Sequence, residues 1–334
     1  MTVKQMGEPD LDSWREQENR QRKANRNKKL GAIAVAAVLV AAGVVLGISV
    51  MRSDEVQPGG SGPKSTLPPK GVEQQSLSVV DVRSGAETTL TVPSSASEFD
   101  VSLDGSMVAY IDLDENGNAQ VFVMNVDGSN VRQLTSGEGG VSDADHTGPF
   151  WSPDRSMIAY AREKSGGTEM FVVRVSTGES SMVTQEPEQV VGPGGWAPDG
   201  GSIVFSVPNY PINHYSARSV DLATGESSLM VRDGSSPTLS PDGALIAFNS
   251  WLKPDPLVRL MVANADGSER RVIARLEAED GYQRWSPDST QIAYVEASGG
   301  GLDTYVYDLA TGETRFVTAG RIESWVDNDR ILVS

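Results

Sequence analysis

Pro149-Phe150-Trp151-Ser152-Pro153-Asp154-Arg155-Ser156-Met157-Ile158-Ala159-Tyr160 recurs in altered form as far as the C-terminus. Aligned on the residue before the Ser/Ala-Pro-Asp turn, the copies fall at Val101, Trp151, Trp196, Leu239, Trp285 and Trp325, spaced by 50, 45, 43, 46 and 40 residues. Self-similarity at such a period marks units that bury their faces on one another. Ser, then Pro with its φ already set, then Asp and Gly is type I turn chemistry, so two strands should meet there. In the second strand Ile158 and Tyr160 point one way and Ala159 the other. The pattern repeats at Val108/Ala109/Tyr110, Ile246/Ala247/Phe248 and Ile292/Ala293/Tyr294. With neither side polar, both faces of each sheet should be covered, large residues of one against small residues of the next.

A hairpin follows each copy: Val121 to Thr135, Phe171 to Thr184, Ser219 to Val231, Leu260 to Ile273 and Tyr305 to Thr318. Asp127-Gly128, Thr177-Gly178, Thr224-Gly225, Asp266-Gly267 and Thr311-Gly312 supply the positive-φ residue that its tight turn needs. Four strands per repeat make the blade of a β-propeller. An orphan hairpin, Leu77 to Leu90, precedes the first copy, and none follows the last. The expected fold is therefore all-β: a six-bladed β-propeller closed by N- and C-terminal strands, preceded by one transmembrane helix.

The repeats, over about Leu77 to Ser334, resemble the WD40-like PD40 repeats of TolB-type propellers. Val101-Ser102-Leu103-Asp104-Gly105 lacks the Pro, and Trp325-Val326-Asp327-Asn328-Asp329 keeps only the Trp and the acidic turn. The resemblance implies protein interaction at the cell envelope. TolB itself is soluble in the periplasm, so an anchored chain departs from it.

Four segments are expected: a polar tail at 1–30, a signal anchor at 31–51, a Pro/Gly-rich linker at 52–73 and an extracytoplasmic propeller at 74–334. The tail holds eight basic and five acidic residues, suited to setting orientation or touching anionic lipid. Residues 31–51 contain no charge, and 21 residues at about 1.5 Å each span about 30 Å of hydrocarbon. The alternative, a cleaved signal peptide, fits less well because the apolar run is long and no small-x-small cleavage site ends it. Residues 51–334 carry 20 basic and 40 acidic side chains, net −20, which excludes nucleic acid as a partner on charge grounds. Cysteine is absent, so no disulfide, Cys-zinc site or lipidated cysteine is available.

No Gly-x-Ser-x-Gly elbow occurs; Gly59-Gly60-Ser61-Gly62-Pro63 misses it by its last residue. His146 and His214, the only histidines, are too few for a His-rich metal centre, so no cofactor is expected. Asp112, Asp114 and Asn116 imitate half of a calcium loop, but Val123 stands where the closing Glu belongs, and a plain acidic turn suits them better. In a four-stranded blade, the loops from second to third strand and from blade to blade share one face. On it fall the irregular segments with Asp143, Asp145 and His146, with Tyr210, His214 and Tyr215, and with Trp251. Asp100, Arg284 and Glu323, just before the anchors, are candidates for the central channel. Either these residues bind a protein or envelope polymer, or the aromatics cap gaps between blades and the charges pair. Trp151, Trp196, Trp285 and Trp325 recur at one position and read as packing residues. The expected function is non-catalytic binding outside the membrane; a transmembrane ligand sensor, or a propeller-type hydrolase or lyase, are the alternatives. The oligomeric state has no signature in the sequence.

Overall fold

The structure, a computed structural model, describes residues 74–137, 148–164, 167–184, 193–209, 214–251, 257–276, 282–298 and 301–334. The expected tail, anchor and linker lie outside the described residues. Among the described residues no helix is long and apolar enough to cross a membrane.

Six four-stranded antiparallel sheets form the blades. The innermost strands are Ser97–Val101, Phe150–Trp151, Pro193–Trp196, Ser235–Leu239, Gln283–Trp285 and Ile322–Trp325. Each lies against the next, and the sixth returns to the first. The sixth blade is composite: Ile322–Trp325 and Arg330–Val333 come from the C-terminal end, Gln74–Asp81 and Glu87–Pro93 from the start of the propeller. Its seam is an antiparallel register of Ser78, Val79, Val80 and Asp81 on Val333, Leu332, Ile331 and Arg330. Pairing the two ends in one sheet removes the free edge that either would otherwise expose.

The large-on-small pattern determines how blades stack. Ile158 and Tyr160 of blade 2 pack on Ala109 of blade 1, and Ile203 and Phe205 of blade 3 on Ala159 of blade 2. The same contact recurs with Ile246 and Phe248 beside Ala217, Ile292 and Tyr294 beside Ala247, and Ile331 and Val333 beside Ala293. The Ala faces let neighbouring sheets approach closely enough to pack the bulky residues without voids.

Tryptophan adds a directional bond to this packing. The Trp151 indole Nε1–H donates to Asp100 O at 3.2 Å, Trp196 to Phe150 O at 2.9 Å, Trp285 to Thr238 O at 3.1 Å and Trp325 to Arg284 O at 2.9 Å. In every case the acceptor is the residue before the anchor of the preceding blade. The two junctions without an indole use other means. At Val101 the Ser324 hydroxyl accepts the backbone N–H at 3.1 Å. At Leu239 the backbones meet directly: a Cβ on Gly194 would lie 1.9 Å from Pro237 O. Only glycine fits there.

The opposite face is built from short acidic turns. Ser152 donates to Asp154 Oδ1 at 2.7 Å while its Oγ accepts Met157 N–H at 2.9 Å; Asp154 Oδ1 also accepts Ser156 N–H at 3.0 Å. Ser240/Asp242 and Ser286/Asp288 repeat the arrangement, and Ser102/Asp104 keeps it without the proline. A residue late in the turn reaches back one blade: Arg155 pairs with Asp104, Ser289 Oγ accepts Asp242 N–H at 3.1 Å, and Asn328 Oδ1 accepts Asp288 N–H at 3.0 Å. Arg155 and Ser289 hold φ values of 62° and 63° to do so, a conformation normally left to glycine.

Two measurements test these arguments. Trp196→Phe keeps a ring and removes one donor, so urea unfolding should show a loss of about 1–3 kcal/mol for the orphaned Phe150 carbonyl. Trp196→Ala should lose about 3–5 kcal/mol; equal losses for both would show that the indole bond contributes nothing separate. The second concerns acid. The Ser156 N–H, then the Ser152 and Ser156 hydroxyls, hold Asp154 below the usual carboxylate value of 3.8, and the Ser240 hydroxyl leads the same effect at Asp242. Depressed native values mean this stabilisation is complete above 3.8 and lost as pH falls through the native values. Melting temperature should therefore drop on that descent, and drop less in Asp154→Asn/Asp242→Asn; parallel curves would refute the assignment.

Candidate functional site

Arg284 of blade 5 reaches Phe150 of blade 2 across the ring, and both belong to the set of residues that stand just before the anchors: Asp100, Phe150, Gly195, Thr238, Arg284 and Ser324. Their position follows from the inner strands, four of which carry a register irregularity just before it, at Ser97/Asp100, Pro193/Gly195, Ser235/Thr238 and Ile322/Ser324. Such bulges bend a strand and re-aim its side chains. Glu98 and Ser236, at equivalent places in blades 1 and 4, take φ values of 51° and 49° within these bends.

Arg284 and Asp100 supply the charges. Arg284 Nε donates to Glu323 O at 2.9 Å and Nη1 to Gln283 O at 3.1 Å. Its guanidinium carbon lies 5.2 Å from the ring centroid of Phe150, a cation–π contact. Blades 5 and 2 stand opposite in a ring of six, so this side chain crosses the axis. Asp100 Oδ2 accepts Trp151 N–H at 2.9 Å and Oδ1 accepts the Ser324 hydroxyl at 2.9 Å. The residue keeps some exposed surface, but its carboxyl is enclosed; burial holds its pKa above the usual value, against those bonds and the charge of Arg284.

Glu323 has a different place from its neighbour in the chain. It is 2% exposed, and Oε1 accepts from Arg321 Nε at 2.9 Å, Arg321 Nη2 at 2.7 Å and the Ser334 hydroxyl at 2.6 Å. Oε2 accepts Phe99 N–H at 3.3 Å. Arg321 also pairs with Glu98 at 3.3 Å, donates to the Tyr282 hydroxyl at 2.8 Å and lies 4.6 Å over that ring. Burial opposes the Arg321 charge, but Glu323 and Glu98 outweigh it and raise its pKa. This buried knot ties blades 5, 6 and 1 together where the first and last strands of the propeller meet.

Tyr215 and Trp251 come together, ring centroids 6.1 Å apart and tilted by 45°. Trp251 also packs on the core shared by blades 4 and 5. His214 opens the third strand of blade 3, paired with Asn209, and its side chain is outside the description. Asp143, Asp145, His146 and Tyr210 lie outside the described residues. The imitation of a calcium loop is a turn: Asp114 Oδ1 accepts the N–H groups of Asn116 and Asn118, both at 2.9 Å, whereas buried Asp112 accepts from the Ser95 hydroxyl and from Leu113 N–H. Those bonds, Asn118 N–H first, lower the Asp114 pKa. Among the described residues no three His, Asp or Glu side chains are grouped to hold a metal. The four repeated tryptophans are buried packing residues, 4–8% exposed.

Sequence reasoning passed over Glu98, Tyr282, Gln283 and Arg321. Their signal was positional: each stands two to four residues before an anchor. Gln283 is 1% exposed and its Nε2 donates to Ser236 O, bridging blades 5 and 4.

Fold and site together define a six-bladed propeller whose axis holds one lodged guanidinium and one enclosed carboxyl. The chain belongs to the TolB beta propeller domain family (PD40), matched over residues 71–281. It is similar to the Tol-Pal system protein TolB of Xylella fastidiosa, 39% identical over 62 residues, which is 19% of this chain and 14% of that protein. Among solved structures it resembles a TolB from Agrobacterium tumefaciens, TM-score 0.63 at 18% identity over 79% of this chain and 98% of the other. TolB from Acinetobacter baumannii gives 0.58 at 13% identity, over 79% and 65%. These structural likenesses show the fold alone.

The buried knot makes a testable claim. Arg321→Met strands two carboxylates that are 2% and 9% exposed and should cost about 3–5 kcal/mol in urea unfolding. Arg330→Met, at an exposed pair with Asp327, should cost under about 1 kcal/mol. Similar losses in the two variants would remove the knot's special role.

Proposed function

We propose that this chain is a membrane-anchored, non-catalytic propeller that binds a protein or envelope polymer outside the membrane. Its binding surface is the face where the irregular connections join, around the mouth of the axis. One observation carries the reading. The three longest connections between strands, Gln133 to Phe150, Met182 to Pro193 and Ser250 to Val258, all join strand ends on that face. Every turn on the opposite face is instead a short Asp- or Gly-closed reversal. A rigid ring presenting variable loops on one side is the usual design of a recognition surface. The relatives named for the Tol-Pal system favour a protein partner. Anchoring rests on the uncharged run 31–51 and the basic tail before it, which puts the N-terminus in the cytoplasm.

Photo-cross-linking in intact cells tests this, with a benzophenone residue replacing Tyr215 on the binding face or Phe316, 56% exposed on the outer strand of blade 5. The expected result is one dominant envelope product from position 215 and none from 316. Product from 316 alone would overturn the assigned face.

A further inference from the structure

Arg284 has hydrogen-bonding capacity that the fold does not use. Two of its donors go to backbone carbonyls, which hold the side chain, and its charge acts on the Asp100 carboxyl without an ion pair. Among the described residues Nη2 has no hydrogen-bond partner, and no carboxylate forms an ion pair with the guanidinium. The domain carries about twice as many acids as bases, and Arg321, a few residues from the same axis, holds two carboxylates. A cation on the axis that no carboxylate contacts among the described residues is therefore a specific arrangement.

The surroundings complete a receptor. Thr238 occupies the matching position on the neighbouring blade, is 9% exposed, and its Oγ1 has no partner. Its carbonyl takes the Trp285 indole, so the hydroxyl is what remains for a ligand. Phe150 lies across the axis and closes the far side of the guanidinium. Nε and Nη1 are already fixed, so an incoming anion meets a fork whose rotamer entropy has been removed beforehand.

We infer that the propeller axis is a carboxylate-binding site, in which Arg284 and the Thr238 hydroxyl hold a peptide carboxylate presented by the bound partner. This deepens the proposed function and rests on it for the choice of a peptide. Asp100 limits the ligand. A second full negative charge near Asp100 would be repelled, which disfavours a phosphate or sulfate dianion and leaves room for a single carboxylate.

The test uses the full chain in nanodiscs and isothermal titration with the peptide acetyl-Gly-Ala-Ala as free acid and as C-terminal amide. The acid should bind saturably, and the amide about tenfold more weakly or worse. Arg284→Met should lose the acid's binding, Arg284→Lys should recover part of it, and Thr238→Val should weaken it several-fold. Sulfate at matched ionic strength should not compete. Equal binding of acid and amide, no saturable binding, or full binding by Arg284→Met would overturn the site; the acid–amide comparison needs no variant to fold. Failure here with cross-linking from position 215 intact would leave the docking face standing. Carboxylate binding with no product from 215 would instead remove the docking face and keep the site.

Discussion

Antiparallel pairing of Ser78–Asp81 with Arg330–Val333 is the interaction on which the ring depends. A blade with two apolar faces is not stable alone, because each face must be covered by a neighbour. Closure gives every blade two neighbours. Without that pairing, Leu77, Val80, Ile331 and Leu332, all at most 1% exposed, would lose a wall of their cores. The knot of Arg321, Glu323, Glu98 and Ser334 sits beside this seam and is built mainly of charges, where four of the other five junctions carry an indole bond. Buried ion pairs add little net stability over apolar packing, but they tolerate few alternative registers. At the place where two distant chain segments must find one register, that restriction is useful.

Closure also makes the axis possible. Once six inner strands face one another, the residue before each anchor is brought within reach of residues far away in sequence. Arg284 meets Phe150 across 134 positions of chain, and Asp100 meets Ser324 across 224. Loop-face recognition and an axial guanidinium are thus consequences of the same geometry, although they use different residues.

Much of this was legible because the repeat writes the same physics six times. The Ser-Pro-Asp turns, the Gly at each outer hairpin, the alternation of Ile-Ala-Tyr and the shared sixth blade all follow from local chemistry and period, and the strands run where those signals put them. The site was legible only by position. Arg284 and Asp100 stood out as charges before an anchor, yet nothing in their neighbourhoods showed that one would cross the axis and the other be enclosed. Glu323 looked equivalent to them and is not, because its partners Arg321, Glu98 and Ser334 converge only through closure. Gly194 was silent for a related reason: the need for a missing Cβ arises from Pro237, on another blade.

The placement of the indole bonds divides the ring unevenly. They stitch blade 1 to 2 and 2 to 3, then 4 to 5 and 5 to 6, and skip the two remaining junctions. The molecule is therefore two three-blade arcs, and Glu98 and Ser236, with their matching left-handed backbone, each sit in the first blade of an arc. Arg284 belongs to one arc and Phe150 to the other, so their contact is a strut across the diameter. A body wedged beneath that strut would load the two junctions that lack tryptophan before any that possess it.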